Sequence, residues 1–412
     1  MTQSNTEVAI IGGGAAGVAA GRRLREAGID CLVIEARNRL GGRAWTINDA
    51  TGFALDLGCG WLHSADRNPW VAIAQAQGYT IDKTPPPWSK PALQKGFSLA
   101  DQRDFSAAMN KFHDDVAAAA ALGPDVTAAS ALEPNGRWNG LINAIGTYIS
   151  GAELDRVSAR DFANYEDTEV NWRVVQGYGA TIAAAGDGLS IALDCPVRRI
   201  DHSGRRLKIV TAKGAVAADR AIVTLPSAVL AENEHLFAPA LPGKTQAARG
   251  LPLGLADKLF MSLADAEQFE PGSRLFGAND RTATASYHLR PFGRPLIEAY
   301  FGGSNAAALE AEGKGAFFDF AVSELTGLLG SAFARCVKPV HIHPWGTDPF
   351  ARGSYSYALP GMTDCRAALA ASVDGRLFFA GEACSKGHFS TAHGGWVTGT
   401  AAADEVISAI RA

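Results

Sequence analysis

A glycine-rich turn near the N-terminus constrains the fold more than any other feature of the sequence. Residues 8–11 are a short apolar run, residues 12–17 read Gly-Gly-Gly-Ala-Ala-Gly, and an alanine-rich helical stretch follows. A second apolar run, residues 31–34, ends at Glu35. This order of strand, glycine turn, helix and strand is typical of a βαβ unit, and it predicts an α/β fold with a parallel sheet.

Each glycine of the turn has a physical task in binding a dinucleotide. Gly12 makes the tight turn, Gly14 lets backbone amides approach a pyrophosphate, and Gly17 lets the helix pack closely on the strand. The phosphate then lies at the helix N-terminus, where unpaired amides and the helix dipole favour an anion. Glu35 follows Gly14 by 21 residues and is placed to accept hydrogen bonds from ribose hydroxyls, which disfavours NADP. FAD and NAD both remain open at this point.

Composition and charge exclude several classes of protein. Of the 412 residues, 47% are hydrophobic and 19% are charged, which is enough apolar material for a large core and excludes a disordered chain. The 38 basic and 42 acidic residues give a net charge of −4, without the basic stripe that nucleic-acid binding requires. The length predicts two or three domains, at ~150 residues each.

The cysteines and the N-terminus indicate a reducing compartment, so a cytoplasmic location is expected. The six cysteines form no C-x-x-C pair and no metal-ligand spacing, so we expect neither a disulfide framework nor a metal site. Residues 1–7 are polar and lack the basic and apolar regions of an export signal. The longest apolar stretch, residues 138–152, contains polar side chains and predicts a buried helix rather than a membrane span.

Two segments that follow the glycine turn carry a family signature. Residues 33–43 read Val-Ile-Glu-Ala-Arg-Asn-Arg-Leu-Gly-Gly-Arg, and residues 56–63 read Asp-Leu-Gly-Cys-Gly-Trp-Leu-His. They resemble the flavin-containing amine oxidases, a family that includes monoamine and polyamine oxidases, L-amino acid oxidases and flavin histone demethylases. In that family the paired glycines and the arginine that end the first segment clasp the FAD pyrophosphate, since a guanidinium offers paired donors to phosphate oxygens. The second segment passes beside the flavin ring, which implies that Trp61 is an apolar wall and that His63 lies at the catalytic face.

Three further segments extend the resemblance in the family's order. Val197 lies in a V-x-x-I strand whose backbone meets the adenine, and Lys258 occupies the position of a lysine that holds a water at flavin N5. Residues 345–357 resemble the W-x-x-D-P-x-x-x-G-x-Y-S stretch, in which mammalian monoamine oxidases carry the cysteine that bonds the flavin. This chain has Ser354 there, so non-covalent FAD is expected. Tyr355 corresponds to one aromatic wall of the substrate cage.

The last segment, residues 378–399, is similar to the family's F-A-G-E motif and the helix start that follows it. The resemblance implies that Glu382 binds the ribityl chain and that a helix beginning near Ala392 points its amides at flavin O2. Thr391 stands where monoamine oxidases have the second aromatic wall, so the cage is incomplete or rebuilt. The candidates for rebuilding it are Phe389, His388 and Trp396.

The resemblance implies a discontinuous, Rossmann-like FAD-binding domain of the GR2 type and a second, α+β substrate-binding domain. The FAD-binding domain is assigned to residues 1–80, 187–242 and 345–412, and the substrate-binding domain to residues 81–186 and 243–344. Cofactor contacts are expected at Gly12, Gly14, Ala16, Gly17, Glu35, Ala36, Arg37, Gly42, Arg43, Gly58, Trp61, Val197, Trp345, Gly381, Glu382, Thr391 and Ala392. Catalytic roles are expected for Lys258, Tyr355 and His63. The expected substrate pocket consists of His63, Tyr355, Thr391 and Phe389.

The expected function is that of an FAD-dependent amine oxidase. The family implies hydride transfer from the amine α-carbon to flavin N5, hydrolysis of the imine to an aldehyde or ketone, and reoxidation by O2 to give H2O2. Three alternatives use the same flavin site: a desaturase or dehydrogenase with another electron acceptor, an L-amino acid oxidase, and a non-catalytic flavin-binding protein. The expected partners are a small-molecule amine and O2, without nucleic acid or membrane, and a homodimer remains open.

Overall fold

The glycine-rich segment forms the predicted βαβ unit. In the computed structural model, which describes residues 3–411, strand β1 (Gln3–Ile11) leads through the turn into helix α1 (Ala15–Glu26) and strand β2 (Cys31–Ile34). Strands β1 and β2 pair in parallel. Gly12 has φ +107°, and a Cβ on Gly17 would lie 1.9 Å from the Gly12 carbonyl oxygen, so both positions require glycine.

Further strands and helices follow along the rest of the described chain. The strands after β2 are β3 (Thr46–Asn48), β4 (Ala54–Asp56), β5 (Ile81–Asp82), β6 (Arg173–Val174), β7 (Ile191–Ala192), β8 (Val197–Asp201), β9 (Leu207–Thr211), β10 (Gly214–Val223), β11 (Phe237–Ala238), β12 (Ala256–Leu263), β13 (Ser273–Phe276), β14 (Ser286–Leu289), β15 (Leu296–Gly302), β16 (Val337–Ile342) and β17 (Leu377–Phe379). The α-helices after α1 are α2 (Pro69–Ala76), α3 (Leu99–Ala121), α4 (Asn139–Ser150), α5 (Ala159–Ala163), α6 (Tyr178–Ala184), α7 (Ser227–Glu232), α8 (Pro242–Arg249), α9 (Gly303–Glu312), α10 (Lys314–Leu329), α11 (Cys365–Ala370) and α12 (Ala392–Arg411).

The larger sheet has eight strands and is assembled from three separated stretches of chain. Its order is β11-β8-β9-β10-β1-β2-β7, with β17 also paired to β10. The pairs of β1 with β2 and β10 are parallel, whereas β8, β9 and β10 are joined by antiparallel pairs. Helices α1 and α12 pack on one face, where their side chains meet Val8, Ile10 and Ile222 of the central strands. This sheet is the Rossmann-like part of the fold that the sequence predicted, and α12 spans the predicted terminal helix.

The second sheet has five strands in the order β13-β14-β15-β12-β16, and all of its pairs are antiparallel. Helices α9 and α10 contribute Leu309, Phe317 and Leu325 to the core beside it. Strand β12 lies inside this sheet and is buried along nearly its whole length, including Lys258. The lysine is therefore not on a solvent-facing edge strand, where a charged residue would be unremarkable.

The apolar stretch at residues 138–152 contains the predicted buried helix, α4. Leu141, Ile142 and Ala144 of this helix lie in a core cluster with residues of α3. No helix within residues 3–411 combines the length and apolarity needed to cross a membrane.

Candidate active site

A cavity of about 480 Å³ is lined by residues from both sheets. All of the predicted cofactor residues line it except Gly17, which packs against the Gly12 carbonyl beneath the turn. The three predicted catalytic residues, Lys258, Tyr355 and His63, also line it. The structure therefore brings together predicted residues that lie in seven separate segments of the sequence.

The nucleotide end of the cavity is built around the N-terminus of α1. Gly14 caps this helix in an extended conformation, and no side chain accepts a hydrogen bond from the first turn. The amides there are consequently available to an anion. The buried Glu35 carboxylate accepts hydrogen bonds from the amide of Gly13 at 2.6 Å and from that of Arg37 at 2.8 Å, which fixes its orientation at the end of β2.

An ion pair joins the loop after β2 to the segment after β17. Arg43 Nη1 donates to Glu382 Oε1 at 2.9 Å and to the Ser354 carbonyl at 2.6 Å. The other Glu382 oxygen accepts hydrogen bonds from the Ser356 hydroxyl at 2.6 Å and the Ser390 amide at 2.9 Å. Burial opposes ionisation of Glu382, but Arg43 and the Ser356 hydroxyl hold its pKa below the ordinary value. Glu382 is thus ionised, and both of its oxygens accept hydrogen bonds from protein groups.

A second ion pair fastens the segment at residues 345–357 to the same loop. Arg37 Nη2 lies 2.5 Å from Asp348 Oδ1, and His343 Nε2 lies 3.1 Å from the other oxygen of that carboxylate. Although burial raises the pKa of Asp348, His343 and Arg37 hold it well below its ordinary value. Arg37 therefore positions the loop that carries Ser354 and Tyr355.

The cavity wall also contains a lysine held by a carboxylate. Lys258 Nζ lies 3.1 Å from Glu298 Oε1 and donates to the Asp56 carbonyl at 3.2 Å. The other oxygen of Glu298 lies 3.0 Å from Arg173 Nη1. Sequence reasoning missed both Glu298 and Arg173. The available signal was a glutamate within the apolar run of β15, two residues before a tyrosine that faces the cavity.

Two tyrosines form an aromatic wall of the cavity near this lysine. The hydroxyls of Tyr300 and Tyr355 lie 3.2 Å apart, and Tyr355 also donates to the Tyr148 carbonyl. Burial raises the pKa of Tyr300 to about 12 and raises that of Tyr355 well above its ordinary value, so both phenols are neutral at physiological pH. Tyr300, which the sequence did not single out, is thus the aromatic partner of Tyr355 in the cavity wall.

The predicted replacements for the second aromatic wall lie elsewhere. Phe389, His388 and Trp396 are not among the residues that line the cavity. The Phe389 ring is buried against the guanidinium of Arg366, whose carbon lies 3.8 Å from the ring centroid. Cation–π packing of this kind explains why an aromatic residue occurs at position 389. Phe389 therefore supports the segment around Glu382 and does not contact the cavity.

Thr391 acts as the cap of α12. Its hydroxyl accepts a hydrogen bond from the Gly394 amide at 3.0 Å and donates to the His388 carbonyl at 2.6 Å. A threonine at this position satisfies a helix amide that an aromatic side chain would leave without a partner. Thr391 and Ala392 both line the cavity, so the N-terminus of α12 faces it.

His63 lies on the cavity wall beside the acidic segment at residues 166–169. Its Nδ1 atom is 2.6 Å from Asn171 Oδ1 and 4.0 Å from Asp167 Oδ2. Burial lowers the pKa of His63, against the opposing effect of Asp167. The imidazole is consequently neutral at physiological pH.

Two family models match this sequence. One, described as flavin-containing amine oxidoreductase, matches residues 133–407, and the other, described as an NAD(P)-binding Rossmann-like domain, matches residues 10–75. The chain belongs to the flavin-containing amine oxidoreductase family. It is a flavin-dependent amine oxidase, and the resemblance drawn from the motifs is confirmed.

Named relatives of this amine oxidase span nearly its full length. Polyamine oxidase 2 of Arabidopsis thaliana is 28% identical, over 98% of this chain and 89% of that protein. Lysine-specific histone demethylase 2 of Homo sapiens is 24% identical, over 98% of this chain but 53% of that protein. The solved structure of putrescine oxidase bound to putrescine has a TM-score of 0.78 at 19% identity and covers 99% of this chain and 100% of that one, which shows the shared fold.

FAD is the cofactor of this amine oxidase, and the residues present fit it. A Cβ on Gly42 would lie 3.3 Å from the Cα of Gly14. The backbones of these two loops therefore lie close together, beside the amides of α1 that no side chain caps. Arg43 lines the same cavity, where its guanidinium is paired with Glu382. The Ser354 hydroxyl exchanges hydrogen bonds with the Ala256 backbone at 2.9 and 2.8 Å and offers no thiol to the flavin.

Proposed function

We propose that this amine oxidase converts an amine, O2 and water into an aldehyde or ketone, ammonia or a shorter amine, and H2O2. When bound, FAD accepts the hydride equivalent from the amine α-carbon and passes the two electrons to O2. We further propose that the FAD is not covalently attached, because serine stands at the position of the bonding cysteine.

The observation that carries this proposal is that Lys258, Tyr300, Tyr355 and His63 line the same cavity as the glycine turn and Glu35. The tyrosine faces offer an electron-rich wall to an amine nitrogen. The phenols and the imidazole are neutral at physiological pH, so none of them supplies a strong base. The arrangement accordingly suits an amine that reacts in its neutral form. Lys258 then lies where a cation assists the transfer of electrons to O2.

The arginines that line the cavity disfavour the L-amino acid oxidase alternative. They are Arg37, Arg43 and Arg352, and each is already paired with a carboxylate, namely Asp348, Glu382 and Glu232. Among the described residues the cavity lining therefore offers no unpaired guanidinium to clamp a substrate carboxylate. The names of the relatives, polyamine oxidase and putrescine oxidase, favour an aliphatic di- or polyamine.

A peroxide assay on the purified holoenzyme tests the proposal. A panel of diamines, polyamines, monoamines and amino acids is supplied in air, and H2O2 and carbonyl product are both quantified. One mole of each per mole of amine consumed supports an oxidase. Amine turnover with an artificial electron acceptor but without O2 consumption would instead identify a dehydrogenase. Bound FAD with no turnover of any panel member would support the non-catalytic alternative.

The domain boundaries and the cellular location are also proposals. We propose that the two sheets mark two domains, with an FAD-binding domain at residues 1–80, 187–242 and 345–412 and a substrate-binding domain at residues 81–186 and 243–344. We also propose a cytoplasmic location, because the six cysteines are free thiols in the described structure.

A further inference from the structure

Lys258 belongs to a buried cluster of charges behind the cavity wall. Glu298 bridges two cations, with one oxygen 3.1 Å from Lys258 Nζ and the other 3.0 Å from Arg173 Nη1. Lys258 and Arg173 are each 5% exposed, as is Glu298. His288 also lies beside Glu298, with Nδ1 3.9 Å from its carboxylate.

The sheet places Glu298 and Lys258 on one face. In the antiparallel pair of β12 and β15, Lys258 is the partner of Tyr300 and Phe260 is the partner of Glu298. Glu298 is therefore the diagonal neighbour of Lys258, within reach of a long side chain. Arg173 arrives from β6, a strand outside this sheet, and its guanidinium also packs over the Trp61 ring at 5.0 Å.

The ammonium of Lys258 has three N–H donors, and two of them are committed. Glu298 and the Asp56 carbonyl take these two, and the described structure gives the third no protein partner. Gly60 leaves space at this point, because a Cβ there would lie 3.1 Å from Nζ. Since Lys258 also lines the cavity, this donor is available to a group bound there.

The cluster carries two positive charges and one negative charge, because His288 is neutral. Burial lowers the pKa of His288 to about 4, and Arg173 and Lys258 oppose its protonation. Burial also disfavours ionisation of Glu298, but the two cations Arg173 and Lys258 hold the pKa of this carboxyl well below its ordinary value. One net positive charge thus remains at the cavity wall.

We propose that Glu298 is a positioning residue, which clamps Lys258 as an ammonium with one N–H directed into the cavity while Arg173 holds the carboxylate in place. The proposal rests on the proposed oxidase function, since its consequence concerns the half-reaction with O2. With FAD bound in the cavity, a cation fixed at the cavity wall would stabilise the negative charge that builds up as O2 gains electrons. Without Glu298 the lysine loses both its orientation and its buried counter-charge.

The test compares Glu298→Gln, Lys258→Met and the double variant with the wild-type holoenzyme. Anaerobic mixing with amine measures flavin reduction, and mixing of the reduced enzyme with O2 measures reoxidation. Glu298→Gln is expected to slow reoxidation about ten- to a hundredfold, the effect of misplacing a group by about 1 Å. In the Lys258→Met background, the same substitution is expected to change reoxidation less than about threefold, because interacting residues are not additive.

A spectroscopic readout separates positioning from a merely structural role. The visible absorption bands of the bound flavin are expected to shift in the same direction in Glu298→Gln and Lys258→Met. Glu298→Asp keeps the charge, retains the fold more readily, and is expected to give an intermediate reoxidation rate. Additive effects in the double variant, or an Asp variant slower than the Gln variant, would overturn the proposal.

Glu324→Gln is the matched control. Glu324 is equally a buried carboxylate of the substrate side, paired with Arg281 and bonded to the Tyr287 hydroxyl, but it does not line the cavity. Its substitution is expected to lower stability while leaving reoxidation within about twofold of the wild-type rate, since the volume beside Lys258 is unchanged. If wild-type flavin is not reduced by any amine, the proposed function fails. If amine reduces the wild-type flavin but the two substitutions have additive effects on the reoxidation rate, only the proposed role of Glu298 fails.

Discussion

Removing Arg43 tests whether the ion pair between the two loops of the cofactor cradle stabilises the fold. Arg43→Met leaves the Glu382 carboxylate, which is 8% exposed, without its closest cation. Breaking a buried ion pair on one side costs about 3–5 kcal/mol. Glu382 keeps its hydrogen bonds from Ser356 and Ser390, so we expect a loss of about 2–3 kcal/mol in the free energy of unfolding at pH 7.

The pKa of Glu382 determines how the loss of stability in Arg43→Met should change with pH. The pKa of Glu382 in the folded wild type lies below the ordinary value of 4.5, so its contribution to stability is present above pH 4.5 and is lost as the pH falls through the folded pKa. Loss of Arg43 raises the folded pKa, because burial then acts with less opposition. The gap in stability between variant and wild type should therefore narrow between pH 7 and pH 5, as Glu382 becomes protonated in the variant.

Urea unfolding of the flavin-free proteins, followed by far-ultraviolet circular dichroism at both pH values, measures this gap. Arg43→Met/Glu382→Gln is the companion variant, and it should recover about 1–2 kcal/mol at pH 7 because no buried charge is left alone. A gap below about 0.5 kcal/mol at pH 7, or a gap that widens toward pH 5, would refute the reasoning.

Other substitutions probe the glycine turn, the aromatic wall and the buried histidine. Gly17→Ala places a Cβ 1.9 Å from the Gly12 carbonyl oxygen, so it should leave the purified protein with little bound FAD, measured by absorbance against protein concentration. Tyr300→Ala should raise the KM for the amine about tenfold in steady-state assays, because one aromatic wall is lost. Tyr300→Phe keeps the aromatic ring, so its KM should stay within about threefold of the wild-type value. Burial lowers the pKa of His288 from 6.5 to about 4 in the folded protein. Between these pH values the unfolded state binds a proton that the folded state does not, so the free energy of unfolding should decrease as the pH falls from 6.5 to 4. His288→Gln should flatten that part of the stability profile in thermal melts, and an unchanged profile would contradict the assignment.

The local elements of the fold were predictable because their signals lie within one short window. The βαβ unit follows from the glycine turn and its two apolar runs, and residues 392–411 form the predicted terminal helix. The alanine-rich stretch at residues 105–122 predicts a helix, and the helix that forms there, α3, begins earlier, at Leu99. Ser98 caps this start, with its hydroxyl accepting a hydrogen bond from the Asp101 amide. Ser98 followed three residues later by Asp101 is a capping-box pattern, which was an available signal for the earlier start.

The partners within the site were not predictable from residue types alone. Glu298 meets Lys258 only because β15 pairs with β12 in a particular register, and a shift of one residue would place it on the other face. Phe389 has an aromatic side chain in a cofactor motif, but its neighbour is Arg366, which lies on another element. Such contacts depend on long-range packing, for which one sequence carries no direct signal.

Anaerobic titration of the purified protein with an amine tests the central claim most directly. We expect a yellow protein whose flavin is released as FAD by acid denaturation. We also expect the visible absorption of the bound flavin to bleach on addition of one equivalent of a substrate amine and to return when O2 is admitted. A protein purified without flavin, or a flavin that no di-, poly- or monoamine reduces, would contradict the claim.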